Sequence, residues 1–487
     1  MGHARRDRGT RRVAPVGRRP LRHRCGDPGR RRVRGPVNRI ETEVVVVGAG
    51  IAGLSAARTL GDAGCDVVVL EARDRVGGRV LNIEIGGQAN ELGGQWIAPY
   101  QARARAYLEE LGIELFPSFR SGSNVYIDPA GTVHRYEGHD APLGEASERA
   151  FTAGDAELDR MAKELDPEQP WEHPRALEWD SITFEAWLGA EVADDLARDL
   201  LRSWLAGGFL TKPAHTFSLL QGLWVIAGAG GTHELFEPDQ CLAFRVVGGS
   251  QLLPLRLAER LGDRVVLDAP VRGIRWSARR VEVDATRALA TGRAAIVAIP
   301  PNLTGAIRLE PAAPGWRMLL EQGLSQGVVI KALAVYDHPF WREDDLSGQG
   351  FAPHLLVREL YDNSPPSGEP GVLLTFLAGE NAESAARMSP EERRAAVLDG
   401  FAEYVGPEAR KATEYHELDW SAEEWTRGAY AATFGVGGLT RFGEDLRRPI
   451  GPIHWACTDI AGVGHMHMEG AIRSGEAAAA AVLADLT

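Results

Sequence analysis

A short unit near residue 44 constrains this chain more than any other feature. Val44 to Val47 is an unbroken β-branched run, the pattern of a strand buried on both faces. Gly48-Ala49-Gly50-Ile51-Ala52-Gly53 comes next, then a helical stretch through Leu54, Ala57 and Leu60 that stops at Gly64. Cys65 to Leu70 supplies a second strand and closes a βαβ unit. A glycine triplet alone says little, but here it sits after a buried strand and opens a helix. Gly48 permits the tight turn, Gly50 lets a pyrophosphate approach the backbone, and Gly53 lets the helix pack on the sheet. The helix N-terminus then offers unpaired N–H groups and a partial positive charge. Glu71 stands 23 residues after Gly48, at the end of the second strand, where a carboxylate accepts from ribose hydroxyls and repels a 2′-phosphate.

Charge separates a head from a body. Residues 1–39 hold fourteen arginines, no lysine and two acids, a net of +12, which leaves −25 for the rest of a chain whose formal total is −13. The acidic body excludes nucleic acid as the main partner. The head lacks apolar periodicity and reads as disordered, or as over-translated sequence upstream of a start near Val37. Its arginine pairs precede no apolar stretch, so an export signal is not supported. No apolar run approaches 18 residues, so no membrane span is expected. Cys25, Cys65, Cys241 and Cys457 lack metal-site spacing, so no metal is expected and a reducing, cytoplasmic compartment fits.

Further along, residues 100–112 read as helix and 123–136 as a hairpin around Asp128-Pro129-Ala130-Gly131. Residues 145–230 are helical and rich in Trp, a pattern of ordinary core as much as of a cavity wall. Strands return at 243–247, 264–267, 271–276, 279–284, 294–298, 327–336 and 371–377, and an Ala-rich helix begins near Glu469. The segments 342–350 and 362–371 read as solvated loops.

The residues after Glu71 lengthen the nucleotide site. Glu71-Ala72-Arg73 leads into Val76-Gly77-Gly78-Arg79 and then Glu91-Leu92-Gly93-Gly94-Gln95-Trp96. Later come Val246-Val247-Gly248-Gly249-Ser250, Asp268-Ala269-Pro270-Val271 and Ala298-Ile299-Pro300-Pro301. Val329-Ile330-Lys331, Pro339-Phe340-Trp341, Trp425 through Tyr430 and Met468-Glu469-Gly470-Ala471 complete the order. The series resembles the flavin-containing amine oxidase family over about residues 42–485.

That resemblance implies an α/β fold: a Rossmann-type FAD-binding domain of the glutathione-reductase-2 kind, interleaved with an α+β substrate domain. The first would take 40–125, 241–300 and 413–487, and the second 126–240 and 301–412. It implies FAD held non-covalently, because Ala429 occupies the position where some relatives carry a flavin-linked Cys. Gly48, Gly50, Ile51, Ala52 and Gly53 would meet the pyrophosphate, and Glu71, Ala72 and Arg73 the adenosine ribose. Gly78, Arg79, Gly93, Gly94, Gln95 and Trp96 would run beside the ribityl chain and flavin, with Val271 at the adenine. Trp420, Met468 and Asp459, an Asp where the family usually has Glu, complete the set.

Three residues are expected to serve the reaction. The chain has four lysines (Lys163, Lys212, Lys331, Lys411), and Lys331 interrupts an apolar strand whose alternation puts Val329, Lys331, Leu333 and Val335 on one face. Either it is an edge lysine reaching solvent or it is buried and depressed in pKa. The resemblance implies a lysine that holds a water beside the flavin and aids reoxidation. It also implies that Tyr430 and His467 flank the amine, with His467 where mammalian monoamine oxidases have Tyr; His465 and His467 also fit as satisfied core residues. Ile97-Ala98 lacks the Arg with which L-amino acid oxidases grip a carboxylate, which ranks simple amines above α-amino acids.

The implied activity is oxidation of an amine to an imine, with O₂ as acceptor giving H₂O₂, and with rates falling at acid pH as the amine protonates. A desaturase or oxidase of a polyene, porphyrin-like or natural-product intermediate remains open, as does a non-catalytic flavin-binding protein. One chain does not display its interfaces, so a homodimer stands beside a monomer.

Overall fold

The valine run becomes the central strand of a five-stranded parallel sheet in a computed structural model that describes residues 38–138 and 140–487. The sheet order is Val265–Val266, Val67–Leu70, Val44–Val47, Ala294–Val297, Ile453–Trp455, and all neighbours are parallel. All four valines of Val44–Val47 are buried, as a strand covered on both faces requires. The helix Ile51–Asp62 covers one face and packs against the C-terminal helix Met468–Leu486. The approach is close: a Cβ on Gly475 would lie 2.2 Å from the Ala52 carbonyl oxygen.

A second five-stranded sheet runs Asn38–Glu41, Ala288–Gly292, Arg280–Ala285, Val271–Ser277, Arg308–Glu310. It corrects the boundary of the basic head, since Asn38 and Arg39 pair in parallel with Ala288 and Leu289. Strand pairing rather than composition decides where this sheet begins along the chain. The rest of the head, expected to be disordered or over-translated, lies outside the described residues.

The third layer is a seven-stranded sheet of order Glu414–Asp419, Val329–Tyr336, Gly371–Ala378, Glu359–Asp362, Leu346–Phe351, Ser123–Ile127, Val133–Tyr136. The hairpin at its end turns at Asp128, whose carboxylate accepts from the backbone N–H groups of Ala130 and Thr132. Two supposed loops differ from expectation. Residues 346–351 form a strand, and Asp362, Asn363 and Ser364 are buried because each finds a partner inside. Pairing also draws Ser123–Ile127 and Glu414–Asp419 into this sheet, across the boundaries that the sequence places at 125 and 413.

The helical block runs from Glu145–Lys163 to Pro238–Cys241 and includes a π-helical stretch, Ser203–Leu210. Trp179, Trp187 and Trp224 are plain core. Among the described residues no helix is long and apolar enough to cross a membrane.

Candidate active site

A cavity of about 700 Å³ runs from the first βα turn to the helical block, with the seven-stranded sheet along one side. At its first end the walls are backbone. Gly48 has φ +101°, and a Cβ there would lie 2.6 Å from the Ala298 carbonyl oxygen. A Cβ on Gly53 would lie 2.0 Å from the Gly48 carbonyl oxygen, so Gly53 serves helix–strand packing and does not itself reach the cavity. Gly50 is the opposite case: its Cβ would meet no protein atom within 4 Å and would project into the site. No side chain caps the helix Ile51–Asp62 and no acid lies in its first turn, so its N–H groups are left for an anion.

Glu71 closes this end. Its carboxylate accepts from the Ala49 N–H at 2.7 Å and the Arg73 N–H at 2.9 Å. The Asp268 and Ala269 N–H groups donate to the Arg73 and Glu71 carbonyls, which brings Val271 to the wall beside Ala72 and Arg73. Arg73 itself is engaged elsewhere, with its guanidinium paired to Glu423 and 3.7 Å from Glu71.

Arg79 ties the middle of the cavity together. Its guanidinium donates to the Tyr430 carbonyl at 2.5 Å, to both oxygens of Asp459 at 3.1 and 2.5 Å, and to the Cys457 sulfur at 3.1 Å. Burial pushes the Asp459 carboxyl upward, but Arg79 outweighs it and holds the group below the usual carboxylate range. Burial and Asp459 together push the Cys457 thiol up to about 12. Asp459 also accepts from the Ala432 N–H at 2.6 Å and does not line the cavity. This corrects its expected place on the ribityl chain: its oxygens are already taken by Arg79, Ala432 and the Cys457 S–H. Gly78, Trp420 and Met468 do lie in the wall, with the Trp420 indole donating to the Leu92 carbonyl at 2.9 Å.

Farther in, the walls become side chains. Lys331 sits on a central strand, paired with Phe376 on one side and Leu418 on the other, which rules out the edge-lysine reading. It is 1 % exposed, and its Nζ donates to the Gly93 carbonyl at 2.9 Å and to Gln95 Oε1. Burial pushes its pKa down to about 7, with Glu91 raising it and Arg245 lowering it by smaller amounts. Gly94 lies alongside in the wall, and a Cβ there would meet nothing within 4 Å. Trp96 contacts Tyr361 at 5.5 Å and Phe376 at 5.9 Å, and Phe376 meets Tyr430 edge-on at 5.9 Å.

The Tyr430 segment is pinned from two sides. Besides Arg79, the Thr211 hydroxyl donates to the Ala429 carbonyl at 2.5 Å and accepts from the Tyr430 N–H at 3.2 Å. His467 lines the cavity near Tyr100 and Phe209, and its Nδ1 bonds the His465 carbonyl at 2.8 Å. A carbonyl accepts only, so Nδ1 carries the proton in the neutral ring and Nε2 holds the lone pair. Burial lowers the His467 pKa. His465 is a core residue instead, stacked on Trp224 at 3.9 Å and pushed to about 4 by burial.

Two wall residues had no sequence signal. Glu359 and Tyr361 alternate on the strand Glu359–Asp362 and both face the cavity. The Tyr361 hydroxyl donates to Glu359 Oε2 at 2.7 Å, and burial raises the Glu359 pKa.

Residues 51–483 match the sequence profile of the flavin containing amine oxidoreductase family. The chain belongs to that family. A putrescine oxidase of Kocuria rosea is 44% identical over 464 residues, covering 93% of this chain and 97% of the relative. The structure of a wild-type putrescine oxidase bound to putrescine superposes with a TM-score of 0.90 at 44% identity, covering 92% of this chain and 100% of the other. Cyclohexylamine oxidase from Brevibacterium oxydans superposes at 0.86 with 30% identity, covering 91% of this chain and 99% of that one. The protein is an FAD-dependent amine oxidase with an α/β fold of the FAD-binding kind. The uncapped helix, the open Cβ directions at Gly50 and Gly94 and the continuous cavity fit that cofactor.

Proposed function

We propose that this amine oxidase acts on an aliphatic diamine of putrescine length, with O₂ as the acceptor. The observation that carries the reading is the Glu359 carboxylate in a cavity wall otherwise built largely of Trp96, Tyr361, Phe376 and Tyr430. A carboxylate in such surroundings is costly without cations near it, and the distal ammonium of a diamine adds one to the Arg358 charge that already reaches Glu359. The likeness to putrescine oxidase supports the same choice. Held in this cavity, FAD would supply the two-electron chemistry by which a hydride leaves the amine α-carbon and the electrons reach O₂, giving H₂O₂. The imine then hydrolyses to an aldehyde and ammonia.

The residues divide this work. Gly48, Gly50, Ile51 and Ala52 take the pyrophosphate, Glu71 with the Ala72–Arg73 backbone takes the ribose, and Gly78, Arg79 and Gly93 to Trp96 follow the chain to the flavin. Gly53 and Asp459 support that set from behind, through packing and through Arg79. Tyr430 and His467 wall the reacting amine, and the His467 Nε2 lone pair accepts from its N–H. Lys331 holds the water that serves reoxidation. The nucleotide layer corresponds to the parallel sheet and its helices, and the amine layer to the seven-stranded sheet and the helical block. Unpaired thiols at Cys65, Cys241 and Cys457 support work in the cytoplasm.

The test is anaerobic bleaching of the flavin by putrescine and by butylamine, in the wild type and in Glu359→Gln. Putrescine should reduce the wild type at far lower concentration, and the variant should need roughly 10–100 times more putrescine with butylamine little changed. Equal responses to both amines in the wild type would overturn the diamine reading.

A further inference from the structure

Lys331 does not stand alone in the cavity wall. Gln95, the acceptor of its ammonium or amine N–H, donates through Nε2 to Asn363 Oδ1 at 2.8 Å. Asn363 in turn donates through Nδ2 to Asn90 Oδ1 at 2.9 Å. All four side chains are buried, Lys331, Asn90 and Asn363 to 1 % exposure or less. The chain of amides runs one way in the structure: each carbonyl faces Lys331 and each NH₂ faces away from it, ending at Asn90 Nδ2, which is buried without a hydrogen-bond partner. Reversing Gln95 alone would leave Asn363 Oδ1 facing the Gln95 carbonyl, so the amides turn only together.

The backbone of the middle residue, Asn363, is also held. Arg245 donates to the Asn363 carbonyl at 2.8 Å and the Ser364 carbonyl at 3.0 Å, and its charge is met by Glu91 Oε2 at 2.8 Å. Arg245 and Glu91 are the charges that reach Lys331, and they are paired with each other. The flanking strands bring Phe376 and Leu418 into register with Lys331, and neither carries a charge. The phenols of Tyr361 and Tyr430 are pushed well above their ordinary range by burial and stay neutral.

We propose that Gln95, Asn363 and Asn90 are positioning residues that fix the Lys331 nitrogen with its lone pair toward the cavity. A neutral amine has two N–H bonds and one lone pair. Both N–H bonds are committed, one to the Gly93 carbonyl and one to Gln95 Oε1, so the lone pair takes the remaining tetrahedral direction. Lys331 forms part of the cavity wall, with the Phe376 ring 5.2 Å and the Trp96 ring 5.9 Å from Nζ, and on this proposal the lone pair meets a water or a proton there. The pKa of about 7 agrees with a nitrogen that is neutral for much of the time at working pH. The proposal deepens the role given to Lys331 above and rests on that reading. It adds that the amide chain, and Asn363 in particular, sets which way the nitrogen faces.

With four lysines in the chain, the test is direct. Lysine labelled with ¹³C at Cε and ¹⁵N at Nζ is incorporated into the holoenzyme, and the Lys331 signal is assigned by its loss in Lys331→Met. Its midpoint should fall near pH 7 in the wild type. Gln95→Glu places a carboxylate against Nζ and should raise the midpoint by about one unit or more. Gln95→Met and Asn363→Leu remove or release the acceptor and should lower it. The pH profile of flavin reoxidation should move with the signal in every variant. A structural role alone would shift all three variants the same way or not at all, and either result overturns the proposal. The titration needs no amine, so failure of putrescine to bleach the flavin would sink the diamine reading without touching this one.

Discussion

The two ends of the cavity solve the same problem with different materials. At the end proposed for the nucleotide the surface is mostly main chain: Gly48, Gly50 and Gly78, with an uncapped helix start behind them. At the amine end it is side chains: Lys331, Glu359, Tyr361, Trp96, Phe376 and Tyr430, several of them set on strands and pinned by distant partners. A main-chain surface offers every ligand the same N–H groups and is ruined by one added carbon. A side-chain surface can be retuned residue by residue while the sheet beneath stays as it is.

The largest effects should come from that contrast. Gly53→Ala forces a Cβ to within 2.0 Å of the Gly48 carbonyl oxygen, and should cost about 3 kcal/mol with loss of yellow colour on purification. Gly50→Ala, whose Cβ meets no atom, should melt like the wild type without flavin yet bind the flavin about tenfold or more weakly, by fluorescence titration. If both variants behaved alike, the separation of packing from cradle would be lost.

On the side-chain end, Lys331→Met should slow reoxidation by O₂ on the order of 10²-fold and leave anaerobic reduction nearly unchanged, read by stopped flow. In the wild type the reoxidation rate should fall as pH drops through about 7, because protonation there removes the lone pair, and the variant should lack that step.

Lys212 sharpens the same comparison. It too is buried with a pKa pushed down to about 7, but it donates to the Ser325 and Thr433 backbone and hydroxyl oxygens and lies outside the cavity wall. Lys212→Met should therefore leave oxidation rates within about twofold and lower stability by about 1–3 kcal/mol, since those oxygens lose their donor. The folded pKa lies below the ordinary 10.5, so the unfolded chain binds more protons between about pH 7 and 10.5. Stability from this group thus rises with pH across that window, and denaturation of the variant should show a flatter slope. The smallest effect belongs to Tyr361→Phe, which removes one hydrogen bond to Glu359 and should raise KM for putrescine a few-fold.

The contrast also explains what the sequence could show. The βαβ unit is legible because its signals lie within about thirty residues and each glycine has a local reason to be glycine. Lys331 is legible because one amine stands in an apolar run of a lysine-poor chain. Asp459 reads as a cofactor contact because its true partner, Arg79, is 380 residues away along the chain. Asn363 lies in a stretch rich in Ser, Pro and Gly that reads as solvated, and only the arrival of Arg245 and Gln95 shows it to be interior. Glu359 and Tyr361 sit on a four-residue strand too short for alternation to register.

The scarcity of lysine has a further consequence. Oxidation of the proposed diamine releases an aldehyde, which condenses with neutral primary amines. Of the four lysines, Lys212 is buried away from the cavity and Lys331 is held in its wall by the Gly93 carbonyl and Gln95, leaving Lys163 and Lys411 on the surface with side chains 60% and 75% exposed. Lys163 is paired with Asp159, which raises its pKa and keeps it protonated. The fifty arginines that carry the rest of the positive charge stay protonated and do not form such adducts. A catalyst that makes its own cross-linking reagent therefore presents that reagent with few places to react.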